Sequence, residues 1–179
     1  MKSLHKKTAT FFLSLITTLF SFAQTTSKEW LDKAEKLYDD KKYKEAAVAY
    51  DKTAELDSKN EIAFYMAGWC YNDLEKYTNA IDRLKKAVAL KKDDQLAWQE
   101  LGYAYKKTSK NDDALICLKK AVEIKPTYAL AYKQLGDVYQ NLSKDAEAIA
   151  AYKKCYENND ANDDACRADD SRNAGTNGE

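Results

Sequence analysis

Trp98-Gln99-Glu100-Leu101-Gly102-Tyr103-Ala104-Tyr105 is the stretch on which the reading of this chain turns. Its skeleton, an aromatic followed by x-x-Leu-Gly-x-x-Tyr, returns 34 residues later as Tyr132-x-x-Leu135-Gly136-x-x-Tyr139. It also stands 34 residues earlier as Phe64-x-x-Ala67-Gly68-x-x-Tyr71. One more step back gives Trp30, Lys33, Ala34 and Leu37, a weaker copy that keeps the aromatic and the small residue. A second set runs in the same register: Ala46, Ala80, Ala114 and Ala148, then Tyr50, Leu84, Leu118 and Tyr152, then Thr53, Ala87, Ala121 and Cys155. Turn formers close the units at Asp57–Asn60, Lys92–Asp94 and Lys125–Thr127. A fixed period of this length marks a stacked array in which each unit is one supersecondary element.

Each unit reads as two amphipathic helices, with apolar residues at three- and four-residue spacing. The register predicts first helices over 28–41, 61–74, 95–108 and 129–142, and second helices over 44–57, 77–90, 111–124 and 145–158. Gly68, Gly102 and Gly136 then fall inside helices, where Gly costs about 1 kcal/mol against Ala. A residue that costs stability and recurs must serve another purpose, and close approach of the partner helix is the expected one. One hairpin cannot bury its apolar faces alone, so neighbouring units must stack.

Over residues 27 to 162 this pattern resembles the tetratricopeptide-repeat (TPR) family. The resemblance implies an all-α solenoid of antiparallel helix pairs in a right-handed superhelix, with repeats at 27–60, 61–94, 95–128 and 129–162. It implies a concave groove lined by first helices, in which a protein or peptide partner lies. Carried onto this chain, the groove residues include Tyr38 in the first unit, Tyr65, Trp69, Asn72 and Asp73 in the second, Gln99, Tyr103, Lys106 and Lys107 in the third, and Lys133 and Asp137 in the fourth. Trp69, Tyr65 and Tyr103 form an aromatic group of the kind enriched at binding hot spots. The competing reading is that these rings pack on one another and stiffen the groove. Lys106 and Lys107 offer charge to an acidic partner unless Asp73 satisfies them. Some TPR proteins hold a chaperone's C-terminal carboxylate with a Lys/Asn/Arg clamp; Leu31 and Glu35 stand at the corresponding places, so that clamp is not expected here.

The charge is consistent with a protein partner. The 179-residue chain is formally neutral, but residues 1–23 hold Lys2, Lys6 and Lys7 and no acid, which leaves 26 basic and 29 acidic residues and a net charge of about −3. Nucleic-acid binding needs a clustered basic surface, so nucleic acid is not an expected partner. The basic start, the apolar run Ala9–Phe22 and the small residues Ser21 and Ala23 before Gln24 make the three-part pattern of a secretory signal. At about 14 residues the run is shorter than the roughly 20 needed to span a bilayer. The expectation is export to the periplasm or the cell exterior after cleavage between Ala23 and Gln24, with no membrane span in the mature form.

The residues argue against chemistry. His5, the single histidine, lies in the leader, so the mature part has no Ser-His-Asp or Cys-His arrangement. The three repeat glycines are isolated, with no phosphate-cradling loop. Asp160-x-Asn162-x-Asp164 begins like a calcium loop, but Ala165 and Ser171 stand where Gly and the closing Glu are required. No enzyme, metal or cofactor is expected. Cys70, Cys117 and Cys155 fall on apolar helix faces and read as buried thiols; Cys155 with Cys166 is the one pair worth testing for a bridge. Beyond residue 162 a fifth first helix starts, with Cys166 in the aromatic slot, and is abandoned where Asp169 and Asp170 replace the expected Leu and Gly. Residues 163–179 therefore read as a partial cap and a polar, disordered tail, or as the cut edge of a longer array. The alternative function is a structural component that self-associates through this uncapped end, residues 145–170.

Overall fold

The computed structural model describes residues 26–158 and Cys166. The expected leader over 1–23, the acidic stretch Asp160-x-Asn162-x-Asp164 and the tail over 163–179 apart from Cys166 lie outside the described residues. Helix α1 covers 26–39. It is followed by α2 (Tyr43–Leu56), α3 (Glu61–Asp73), α4 (Tyr77–Leu90), α5 (Gln95–Lys107), α6 (Asn111–Ile124), α7 (Ala129–Asn141) and α8 (Asp145–Glu157). The described residues hold no strand, and none of their helices is long and apolar enough to cross a membrane.

The first helices end one or two residues before the expected limits, and the backbone gives the reason. Lys41, Glu75, Ser109 and Ser143 each take φ between 55° and 59°, the left-handed region that usually falls to Gly at a helix C-terminus. The next amide then closes back on the helix, as Lys76 N–H does on Tyr71 O at 2.8 Å and Lys110 N–H on Tyr105 O at 2.9 Å. A left-handed residue every 34 positions turns each chain segment sharply into its second helix. Between units, Asn60 Oδ1 accepts from Ala63 N–H at 2.9 Å, and Asp94 Oδ1 accepts from Leu96 and Ala97 N–H. These are N-caps that start α3 and α5.

Within a unit α3 packs on α4, α5 on α6 and α7 on α8; between units α2 packs on α3, α4 on α5 and α6 on α7. First helices also touch from unit to unit, α3 on α5 and α5 on α7, so they lie on the inner side of the curve. The intra-unit seam is built from the repeated small residues. A Cβ on Gly68 would meet Leu84 Cγ at 2.5 Å, one on Gly102 would meet Leu118 Cγ at 2.6 Å, and one on Gly136 would meet the Tyr152 ring at 2.5 Å. Ala46, Ala80, Ala114 and Ala148 are buried at the same seam. Glycine therefore holds its place because the second helix sets a large side chain directly against the first-helix backbone.

Polar groups tie the units as well. Asp51 on α2 accepts from Tyr71 Oη of α3 at 2.7 Å and from Arg83 of α4 at 2.6 and 3.2 Å. Cys70 and Cys117 are free and buried, and burial pushes both thiols up to about 12. Cys155 departs from the buried-thiol expectation, because it is bonded to Cys166 with a Cα–Cα separation of 5.6 Å.

Candidate functional site

The inner face carries a wall of aromatic rings in two clusters. Trp69 on α3 stands edge-on to Tyr38 of α1 at 5.2 Å and to Tyr43 of α2 at 5.4 Å, and the two tyrosines meet at 5.5 Å. One period on, Tyr103 meets Tyr77 at 6.2 Å. Edge-to-face pairs at these separations are favourable beyond their area. Trp69 and Tyr103 thus pack on neighbouring tyrosines rather than on each other, and each ring keeps a solvent-facing part, since Tyr38, Tyr43, Tyr65, Trp69, Tyr77 and Tyr103 are all half-buried. Tyr43 and Tyr77 were missed from sequence because they sit at second-helix starts, outside the first-helix face on which the groove was drawn. Their own 34-residue spacing was the available signal.

A cavity of about 250 Å³ opens beside this wall, lined by Glu35, Tyr38, Asp39, Tyr50, Ile62 and Met66. Its floor is apolar, and Glu35 and Asp39 are both exposed. A row of apolar side chains at equivalent positions, Ile62, Leu96 and Leu130, stands 50%, 40% and 42% exposed near the first-helix N-termini.

Four of the groove residues expected from sequence are occupied within the array. Asn72 is buried and donates from Nδ2 to Glu100 O at 3.1 Å and to Glu100 Oε2 at 2.7 Å. Gln99 is buried, donates to Gln134 Oε1 at 3.1 Å and accepts from Tyr128 Oη at 3.0 Å. Lys106 pairs with Asp137 of the following unit at 2.5 Å, and Tyr152 Oη donates to the other oxygen of Asp137 at 3.0 Å. Asp73, the partner weighed for these lysines, is not the one used. The reason lies in the stacking. Residues five and twelve places into a first helix face the next first helix as well as the groove, and the residue nine places in faces the preceding one, so side chains there meet across the unit boundary. Asp73 and Lys107 remain exposed, Lys107 beside the Tyr103 ring, and Lys133 is half-buried.

Glu100 was not singled out from sequence, yet it is the charged centre of the inter-unit network. Burial raises its pKa, against hydrogen bonding from Asn72 and Gln99 that lowers it. Tyr65 is held above its usual range first by burial and then by the charges of Glu100 and Asp94. Tyr128 is pushed up to about 12 by the same causes. A carboxylate flanked by amides and neutral phenols makes a rigid polar seam between α3, α5 and α7, and among the described residues nothing pairs it with a nucleophile or a base.

Comparison with known proteins agrees with this architecture. Profiles described as tetratricopeptide repeat and TPR repeat match residues 62–94 and 129–162 and residues 107–143. Among curated protein sequences none matches the chain. Similar solved structures include a crystal structure of MamA, with 26% identity and a TM-score of 0.71 over 74% of this chain and 77% of that one. MamA from Desulfovibrio magneticus RS-1 (residue 41 to its end) shares the fold at 22% identity, with a TM-score of 0.69 over 73% and 74% of the two chains. The first TPR domain of Spaghetti (RPAP3), bound to the HSP90 peptide SRMEEVD, aligns at 25% identity with a TM-score of 0.62 over 65% of this chain and 93% of that one. With the period, the glycine seam, the stacked hairpins and the repeat profiles in agreement, the chain belongs to the tetratricopeptide-repeat family.

Proposed function

We propose that the chain is a non-catalytic scaffold or adaptor of the cell envelope that holds a segment of a partner protein along its inner face. The observation that carries this reading is the half-buried ring wall of Tyr38, Tyr43, Trp69 and Tyr103, next to the cavity under Glu35 and Asp39. Rings whose edges are already fixed lose little freedom when a ligand covers their remaining faces, so their contact area is favourable for binding. Glu35 and Asp39 beside an apolar floor complement a long basic side chain, whose stem packs while its charge is paired. The RPAP3 domain bound to an HSP90 peptide is a precedent for a peptide held on this fold. Envelope location rests on the leader-like pattern at residues 1–23.

The test is capture from an envelope fraction by the exported protein and by Trp69→Ala/Tyr103→Ala, with far-ultraviolet circular dichroism as a control on folding. The expected result is one or more partners that the native protein retains and the double variant loses at unchanged helicity. Equal capture by both proteins would remove the ring wall as the binding surface.

A further inference from the structure

We infer that the two ends of the array are the halves of one interface, joined head to tail between two copies of this chain, and that the Cys155–Cys166 bond controls access to it. Within the array each second helix is covered by the first helix of the next unit. Ala47, Ile81 and Leu115 are 0%, 8% and 8% exposed at that boundary, while Ile149 at the same position of α8 is 68% exposed. Ala54 and Val88 are 6% and 7% exposed, while their counterpart Tyr156 is 55% exposed. Among the described residues, the outer face of α8 thus has the apolar character of an interior boundary but no first helix packed over Ile149 and Tyr156.

The opposite end shows the matching half. A groove of about 390 Å³ opens on the outer side of α1 and α2, lined chiefly by Trp30, Lys33, Leu37, Val48 and Ala49. Trp30, Lys33 and Leu37 stand where Phe64, Ala67 and Tyr71 stand in the second unit, and those three are buried where α3 packs on α2. Because the ends repeat the pattern of the internal boundaries, they can stack on one another as neighbouring units do, with Lys33, now 4.4 Å over the Trp30 ring, moving aside to let the ring dock. Its closure between copies is heterologous, head to tail.

The disulfide sits in the middle of this face. Cys155 occupies the position held by Thr53, Ala87 and Ala121, and the residue eleven places after each of these is the first-helix aromatic Phe64, Trp98 or Tyr132. Eleven places after Cys155 is Cys166, fully buried and bonded to it. The oxidised chain therefore places its own Cys166 where a docked second copy sets Trp30, and the two exclude each other. A dithiol reductant opens the site. One of its thiolates attacks a sulfur of the bridge, its second thiol displaces the mixed disulfide, and the reductant leaves as a cyclic disulfide with Cys155 and Cys166 as thiols. Trp30 of a second copy then packs over Cys155 while Ile149 and Tyr156 are covered.

Sedimentation equilibrium on the purified protein tests this over a wide concentration range. The oxidised protein is expected at monomer mass. The dithiothreitol-reduced protein and Cys155→Ala/Cys166→Ser, whose Ala is the residue already used at 87 and 121, are expected to rise to twice that mass and beyond. In the double-cysteine background, Ile149→Lys and Trp30→Lys each block one end and return the protein to monomer mass. A mixture of these two variants stops at dimer, because only one pair of intact ends remains. A double-cysteine variant that stays monomeric, association that survives either end substitution, or equal association of the oxidised protein would each overturn the inference. The ring wall takes no part, so Trp69→Ala/Tyr103→Ala leaves the association unchanged.

Discussion

Gly68→Ala separates the packing account of the repeat glycines from any account based on helix propensity. In an exposed helix the substitution stabilises by about 1 kcal/mol. Here the new Cβ would lie 2.5 Å from Leu84 Cγ and 2.9 Å from its Cδ2, where unstrained carbons sit about 3.5–4.0 Å apart. The deficit at Cγ is about 1 Å. Leu84 is fully buried, and its Cγ is one bond from the Cβ that α4 fixes, so the clash is relieved only by moving the helices apart. Overpacking of this kind costs about 1–3 kcal/mol, and the short contact to Cγ places this case near the top of that range. Subtracting the propensity gain leaves Gly68→Ala destabilising by about 2 kcal/mol. In a Leu84→Ala background, itself about 2–5 kcal/mol less stable, the obstructing atoms are gone and the same substitution should stabilise by about 1 kcal/mol. The coupling energy is then about 3 kcal/mol, with a reversal of sign. Urea denaturation of the four proteins of the cycle, followed by circular dichroism, measures it. A stabilising Gly68→Ala in the native background, or the same effect in both backgrounds, would refute the reasoning.

Two further predictions follow from the backbone and the polar seam. Glu75 holds φ 57° and is exposed, so Glu75→Gly should raise stability by about 0.5–1 kcal/mol by removing the left-handed strain; the same denaturation assay reads it. For Glu100 the folded pKa lies above its ordinary 4.5 because of burial, so between those two values the folded chain binds more protons than the unfolded one. Its effect is therefore a loss of stability as pH rises through that window. Glu100→Gln should be more stable than the native protein at neutral pH, and the difference should vanish in acid below the unfolded value. A pH series of denaturation midpoints checks both parts.

Periodicity was legible because it is a one-dimensional property. Gly68, Gly102 and Gly136 stand 34 residues apart in the sequence as they do in the stack, so the helix limits of the described units to within one or two residues, and the meeting of Gly with the second helix, could be read from the sequence. The groove was legible only in outline. Trp69 and Tyr103 are on the inner wall as drawn, but Tyr43 and Tyr77 reach it from the second helices. Asn72, Gln99, Lys106 and Asp137, assigned to a ligand, bond across the unit boundary instead. That outcome depends on which rotamers meet across a boundary 28 to 35 residues apart in sequence, as in the bonds from Asn72 to Glu100 and from Gln99 to Gln134.

The amino-acid sequence by itself determined that this chain is a stack of 34-residue helical hairpins with a small-residue seam, because a pattern repeated in register constrains every copy to the same local solution. Tertiary structure alone decided the rest. It showed which groove side chains are satisfied by the next unit, which rings keep a free face, and which repeat positions lie bare at the ends. It also set Cys166 against Cys155, because burial and pairing depend on neighbours distant in the chain, and those exist only once the units have stacked.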